Sequence, residues 1–268
     1  MVVQHNLRAM NSNRMLGVTS SQQSKSTEKL SSGYKINRAA DDAAGLAISE
    51  KMRKQVRGLT KAVANAQDGI SCVQTAEGAL AEVHDMLQRM SELSMQAANG
   101  TNATADRGYL QSEVDALAEE IDRISSTVTF NDQFLLDGSF TGKGLQVGFT
   151  SNDVITISID SIAAADIGVD SLDLVSGAVA ALGSVSTAIN FVSELRSDLG
   201  AIQNRLEHTV NNLNNVVENT QAAESQIRDT DMATEMVKYS NNNILAQAGT
   251  AMLAQSNQAN QNVLSLLG

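Results

Sequence analysis

A chain of 268 residues with no Pro, no Trp and only 3% aromatic residues lacks the side chains from which an enzyme core of ordinary composition draws much of its buried area. Without Pro, the residue that breaks helices, the chain is suited to long uninterrupted ones. The formal net charge of −11 argues against a nucleic-acid partner, which needs a basic surface, and the length admits one or two domains.

Residues 1–32 read as a weakly amphipathic helix. Val3, Leu7, Met10, Met15 and Val18 give a thin apolar stripe, and the stretch TSSQQSKSTEK after it is almost wholly polar. Such a helix buries too little surface to offset its own ordering entropy, so it is expected to be mobile in an isolated subunit. Ser31-Ser32-Gly33 is a stop signal, because Gly takes the left-handed conformation that ends helices. Asn37 is the expected cap of the next helix. Asp41 and Asp42 fall near its first turn, where carboxylates suit the helix dipole. Small residues follow (Ala39, Ala40, Ala43, Ala44, Gly45, Ala47) and let another backbone approach closely. Lys51, Arg53, Lys54 and Arg57 read as a solvated face, balanced by Glu50 and by acidic residues elsewhere.

From about Asp42 to Asn99 the 3-4 spacing of Leu59, Ala62, Ala66, Val73, Ala76, Leu80, Val83, Leu87, Met90 and Ala97 predicts one long helix, roughly 85 Å at ~1.5 Å per residue. Asn99-Gly100 ends it. A second helix is predicted over about Thr104–Val128, where Leu110, Val114, Leu117, Ile121, Ile124 and Val128 form the seam of a coiled coil or bundle. Residues 144–160 (GLQVGFT and DVITISID about Ser151-Asn152) alternate apolar and polar and read as a β-hairpin. The acidic stretch SIAAADIGVDSLDLVSG gives no clear element. A third helix is expected over about Ser184–Asn219, and residues 221–268 continue as helix with a thinner stripe. That Asn/Gln-rich end mirrors the polar N-terminus, so the two ends are expected to pair with each other or with copies of themselves. The fold class is therefore mainly α, a long coiled-coil or helical bundle with a small β-hairpin region.

Little here suggests catalysis. His5, His84 and His208 lack metal-ligand spacing. Cys72, alone, reads as a buried small hydrophobe. GSFTGKG has the wrong spacing for a phosphate loop and reads as a turn. The adjacent carboxylates Asp41 and Asp42 point about 100° apart on a helix and do not converge. Asn99 and Asn102 match the glycosylation pattern in short form only. No apolar leader is seen and no segment reaches the ~20 apolar residues of a membrane span. The reading is a cytoplasmic protein or one exported without a cleaved signal, with no cofactor and no metal.

Five stretches, LSSGYKINRAADDAAGLAISEKMRKQVRGL, NAQDGISCVQTAEGALAEV, LQRMSELSMQAANGT, EIDRISSTVTFNDQFLLDG and NNILAQAGTAMLAQSNQANQNVLSLLG, strongly resemble bacterial flagellin, in order and over nearly the whole chain. The resemblance implies a short, minimal flagellin, nearly without variable outer domains. Residues 1–42 with 229–268 would form the terminal inner-tube coiled coil, and 43–228 the outer-tube helical domain, with Gly33–Asp41 as the spoke between them. It implies a structural subunit of the filament, not an enzyme, exported through the flagellar type III apparatus with an export chaperone. It would be secreted, extracellular and built into the filament with cap and hook-associated proteins.

Terminal segments would fold on assembly, with Leu7, Met10, Leu245, Met252, Val263 and Leu266 buried in the polymer and Asp41 and Asp42 at packing contacts. The resemblance also implies recognition by animal Toll-like receptor 5 through Arg89, Leu93 and Gln96, which share a helix face, with Glu113 on the next helix. That face lies roughly 120° from the Leu80–Met90 seam, so Leu93 is expected to be exposed. The nearest rival is a hook–filament junction protein, whose DDAAGLAI and NVLSLL regions match less well; both are intact here.

Overall fold

The computed structural model describes residues 6–265. Five helices run through the described residues: α1 (Leu7–Ser32), α2 (Ala43–Ala98), α3 (Thr104–Thr127), α4 (Ala178–Arg228) and α5 (Met232–Ser265). Between α3 and α4 lie two antiparallel strand pairs, β1 (Thr129–Phe130) with β2 (Gln133–Phe134), and β3 (Lys143–Gln146) with β4 (Val154–Ile157). The chain divides into two compact units, residues 56–218 and residues 1–55 with 219–268.

In the 56–218 unit the expected seams come together as one core. Val73, Ala76, Leu80, Val83, Leu87 and Met90 of α2 share a cluster with Val114, Ala118 and Ile121 of α3 and Val185, Ala188, Val192, Leu195 and Leu199 of α4. Leu110, Leu117, Ile124 and Val128 complete the α3 seam at its half-buried margin. α4 also contains an 18-residue window of mean hydropathy 1.3, apolar enough to cross a membrane, where the sequence reading found no such stretch. The apolar residues of α4 named above are the ones its helical face turns to this core.

The acidic stretch 160–177 is an irregular strap with a regular logic. Ile162, Ala164, Ile167, Val169, Leu172 and Leu174 are buried, while Asp160, Asp166, Asp170 and Asp173 face solvent. α3 pins it: Gln111 donates to Leu172 O (2.6 Å) and accepts from Leu174 N (2.7 Å), and Asp122 Oδ1 accepts from Ala164 N (2.7 Å). The longer hairpin is narrower than the alternation suggested, with Lys143 opposite Ile157 and Gln146 opposite Val154. Beyond it Asp153 closes a loop, its carbonyl accepting from Val147 N at 2.9 Å. The β1–β2 pair was not anticipated. Its turn residues Asn131 (φ 49°) and Asp132 (φ 60°) are both left-handed, as a two-residue hairpin turn requires, and Asn and Asp tolerate that best.

In the other unit α1 packs along α5, so the two polar ends pair with each other. Asn6 caps α1 through Ala9 N and also donates to Ser256 O at 3.2 Å. Gly33 (φ 76°) ends α1 in the left-handed conformation. The third predicted helix is longer than expected. It runs on to Arg228, and the chain then breaks at 229–231, where Asp231 accepts from Ala233 N (3.0 Å) and Thr234 N (3.3 Å) to start α5.

Candidate interaction surfaces

The links between helices, 33–42 and 229–231, are bonded to each other. Tyr34 and Asp229 form an antiparallel bridge, Lys35 N donates to Arg228 O (2.7 Å) and Thr230 N to Gly33 O (3.0 Å). Arg228 closes this joint: its guanidinium lies 4.7 Å over the Tyr34 ring and pairs with Glu50 at 2.6 Å. Its side chain is only 12% exposed. Arg53 adds a bond to the Tyr34 hydroxyl (3.4 Å) and an ion pair to Glu224 (3.7 Å). Neither Arg228 nor Tyr34 was singled out from the sequence, because their partners lie far along the chain. An aromatic residue directly after the helix-ending Gly33, in a chain with three tyrosines, was the available signal.

Asn37 does not cap α2. Its side chain donates back to Tyr34 O at 3.1 Å, and Asp42 caps instead, accepting from Gly45 N at 2.9 Å. The reason is the tight turn before the helix: Asp41 accepts from Arg38 N (3.0 Å) and Asn37 N (3.3 Å), which places the helix start after Asp42. The Arg38 backbone N–H holds the Asp41 carboxyl below its ordinary range. The small residues serve this same fold, since a Cβ on Gly45 would sit 2.8 Å from Ile36 Cδ1, and Ile36 is buried.

On the terminal helices Leu7, Met10, Leu245 and Met252 are each more than half exposed. Leu266 and the Val263 side chain lie outside the described residues.

On the other unit Arg89 donates to Glu113 Oε1 through both Nε and Nη2, each at 2.9 Å, and to Glu92 at 3.1 Å. Arg89, Gln96 and Glu113 are exposed. Leu93 is not: it is 1% exposed and belongs to the core cluster, which corrects the expectation of an exposed leucine. Leu93 follows Met90 by three residues, only about 60° away on the helix. Since α2 is buried over a wide arc that includes Met90 and Ala97, Leu93 falls inside it.

Among the described residues no three His, Cys, Asp or Glu side chains are grouped to hold a metal ion. His84 is bonded to Gln88 at 2.8 Å. Cys72 is buried, and burial raises its thiol pKa.

Comparison with known proteins identifies relatives of the chain. The family model described as the bacterial flagellin N-terminal helical region matches residues 3–141, and that of the C-terminal helical region matches residues 182–267. The chain is 52% identical to a flagellin of Halalkalibacterium halodurans, covering the whole of both chains. It is 48% identical to a 31.3 kDa flagellar filament core protein of Treponema maltophilum, again over the whole of both. The crystal structure of Bacillus cereus flagellin is 31% identical with a TM-score of 0.49, over 56% of this chain and 88% of that one.

Proposed function

This chain belongs to the bacterial flagellin family and is a structural subunit of the flagellar filament, and from that premise we propose how its surfaces divide the task. The family is structural rather than enzymatic. Residues 1–42 and 229–268 form the inner-tube part and residues 43–228 the outer-tube part. The observation that carries this division is the set of large apolar side chains left exposed on α1 and α5, Leu7, Met10, Leu245 and Met252. Exposed apolar surface of this kind marks an interaction face, and copies of the same chain are its occupant in a polymer. Val263 and Leu266 continue the α5 stripe by sequence, and Asp41 and Asp42 hold the link that positions the terminal pair.

The truth of this reading rests on a truncation. Removing Gln255–Gly268 leaves the 56–218 unit folded, as followed by far-UV circular dichroism and amide exchange, and abolishes polymerisation seen by electron microscopy. Filaments of normal length from the truncated chain overturn it. The subunit reaches the extracellular filament through the type III export apparatus and an export chaperone, and meets the filament cap and hook-associated proteins there.

A second surface is proposed for Toll-like receptor 5. Arg89, Gln96 and Glu113 present charged and amide groups on exposed positions of α2 and α3. Leu93 supports that surface from beneath and makes no direct contact.

A further inference from the structure

Asn99-Gly100 is the one Asn-Gly step in the sequence, and both residues are exposed in the turn between α2 and α3. The bonds around them favour a reaction of one with the other. Past the end of α2, Asn99 N (3.2 Å) and the Asn102 side chain (2.7 Å) both donate to Gln96 O. Gly100 N donates to no acceptor among the described residues, and with no Cβ beside it nothing hinders its approach to a neighbouring atom. The oxygen of the same peptide group, Asn99 O, accepts from Asn102 N (3.2 Å) and from the Arg107 guanidinium (3.4 Å). Arg107 is held there by a second bond, to Val175 O at 3.4 Å. Because the peptide oxygen and nitrogen are conjugated, donors on that oxygen draw electron density from Gly100 N and favour loss of its proton, the charged donor most of all. The side-chain oxygen, Asn99 Oδ1, accepts from Thr101 N at 3.3 Å. That N–H polarises Cγ and stabilises the negative charge that grows on Oδ1 when Cγ is attacked.

We propose that Asn99 is a self-modification site, converted to aspartate and isoaspartate through attack by Gly100 N. Hydroxide takes the proton of Gly100 N, and the nitrogen forms a bond to Asn99 Cγ while the carbonyl electron pair moves onto Oδ1. The intermediate collapses, Nδ2 takes a proton from water, and it leaves as ammonia. The cyclic imide that remains is opened by water. Cleavage of the new Cγ–N bond gives aspartate, and cleavage of the original peptide bond gives isoaspartate. The net change consumes one water and releases one ammonia, so it does not reverse, and the converted fraction records the age of the subunit. Either product places a carboxylate at the C-terminal end of α2, where negative charge opposes the helix dipole. Isoaspartate also adds a methylene to the main chain of the turn. The inference rests on this turn alone, so its failure leaves the truncation test above unaffected.

The test is peptide mapping by mass spectrometry of the full-length subunit, incubated at low protein concentration in mildly alkaline buffer made with heavy-oxygen water. Label enters at residue 99, isoaspartate accumulates there, and ammonia is released in step. Asn131 and Asn152 are the controls, since both are exposed but are followed by Asp132 and Asp153. Asn99 converts about tenfold faster than either, or more. Gly100→Ala meets open space and no left-handed backbone, so it keeps the circular dichroism spectrum and slows conversion by about tenfold or more. Arg107→Gln slows conversion in the folded subunit by about threefold or more and leaves the rate in denaturant unchanged, where the guanidinium no longer sits on Asn99 O. Conversion of Asn99 no faster than that of the controls, or a rate that Gly100→Ala leaves unchanged, overturns the site. Faster conversion in denaturant than in the folded wild type also overturns it, because the fold then protects Asn99. An Arg107→Gln rate equal to that of the wild type overturns the part given to the guanidinium.

Discussion

Arg89 on α2 reaches across to α3 and places two hydrogen bonds, both 2.9 Å, on one carboxylate oxygen of Glu113. The two residues are 24 apart in sequence, and the pair turns separate helices into one charged surface. Both side chains are about half exposed, so water competes for the pair and it matters little to folding. Arg89→Ala is therefore expected to leave the thermal midpoint unchanged. Measured by surface plasmon resonance with soluble monomer, it weakens binding to Toll-like receptor 5. Unchanged affinity counts against the proposed surface. Leu93→Ala gives the opposite pattern: it removes a buried side chain, costs about 2–5 kcal/mol of stability, and alters receptor binding only as far as the surface above it collapses.

The joint closed by Arg228 predicts a different signature. Its guanidinium both stacks on Tyr34 and pairs with Glu50, uses that a lysine cannot combine, since an ammonium has no plane to stack. Arg228→Lys is expected to behave nearly as badly as Arg228→Ala, each losing on the order of 2 kcal/mol of local stability. Amide exchange at Lys35 and Thr230, whose N–H groups cross the joint, reads this directly. Full rescue by lysine shows that charge alone suffices.

Glu235 predicts a pH response of the terminal pair. Its carboxyl is held below its ordinary value, chiefly by the Ser26 hydroxyl, against the opposing effect of burial, with Lys238 and Lys29 assisting. A depressed folded-state pKa contributes stability that is present above the unfolded value. That stability is lost as pH falls through the folded one. Protection of residues 22–29 therefore declines on acidification below the ordinary carboxyl range in the wild type. Glu235→Gln flattens that decline. Asp41 and Asp231, also depressed by hydrogen bonds to their charged forms, add a background that the variant retains. A wild type and variant with the same profile remove Glu235 from the account.

Much of this fold was legible in the sequence because helix seams are local and periodic. Leu80–Met90 on α2 and Leu110–Val128 on α3 state their own buried faces by spacing. The strap over 160–177 was not legible as an element: its order comes from Gln111 and Asp122, some 40–60 residues away, and irregular backbone has no period to detect. Leu93 shows a subtler limit. Spacing told which residues share a face with Arg89, but the width of the buried arc depends on how many elements pack on α2, and no single helix carries that information. Arg228 and Tyr34 illustrate the same point for charge, since their meeting depends on where two distant helices end.

The sharpest contrast the structure offers is between two equally apolar positions. Leu87 is fully buried in the core of the 56–218 unit, and Leu245 on α5 is more than half exposed. Truncating Leu87 to Ala removes packed methyl groups and leaves a cavity, so it is expected to destabilise the subunit by about 2–5 kcal/mol. The same truncation at Leu245, with Met252→Ala beside it, removes surface that water already reaches. It should change subunit stability by no more than about 0.5 kcal/mol. If those side chains are buried between copies, the cost appears at assembly instead. The double variant Leu245→Ala/Met252→Ala should then raise the critical concentration for polymerisation by tenfold or more, at about 1.4 kcal/mol per tenfold. Denaturant unfolding measures the first quantity, and sedimentation of polymer from soluble subunit measures the second. A double variant that polymerises at the wild-type critical concentration places the copy-to-copy contact elsewhere on α5.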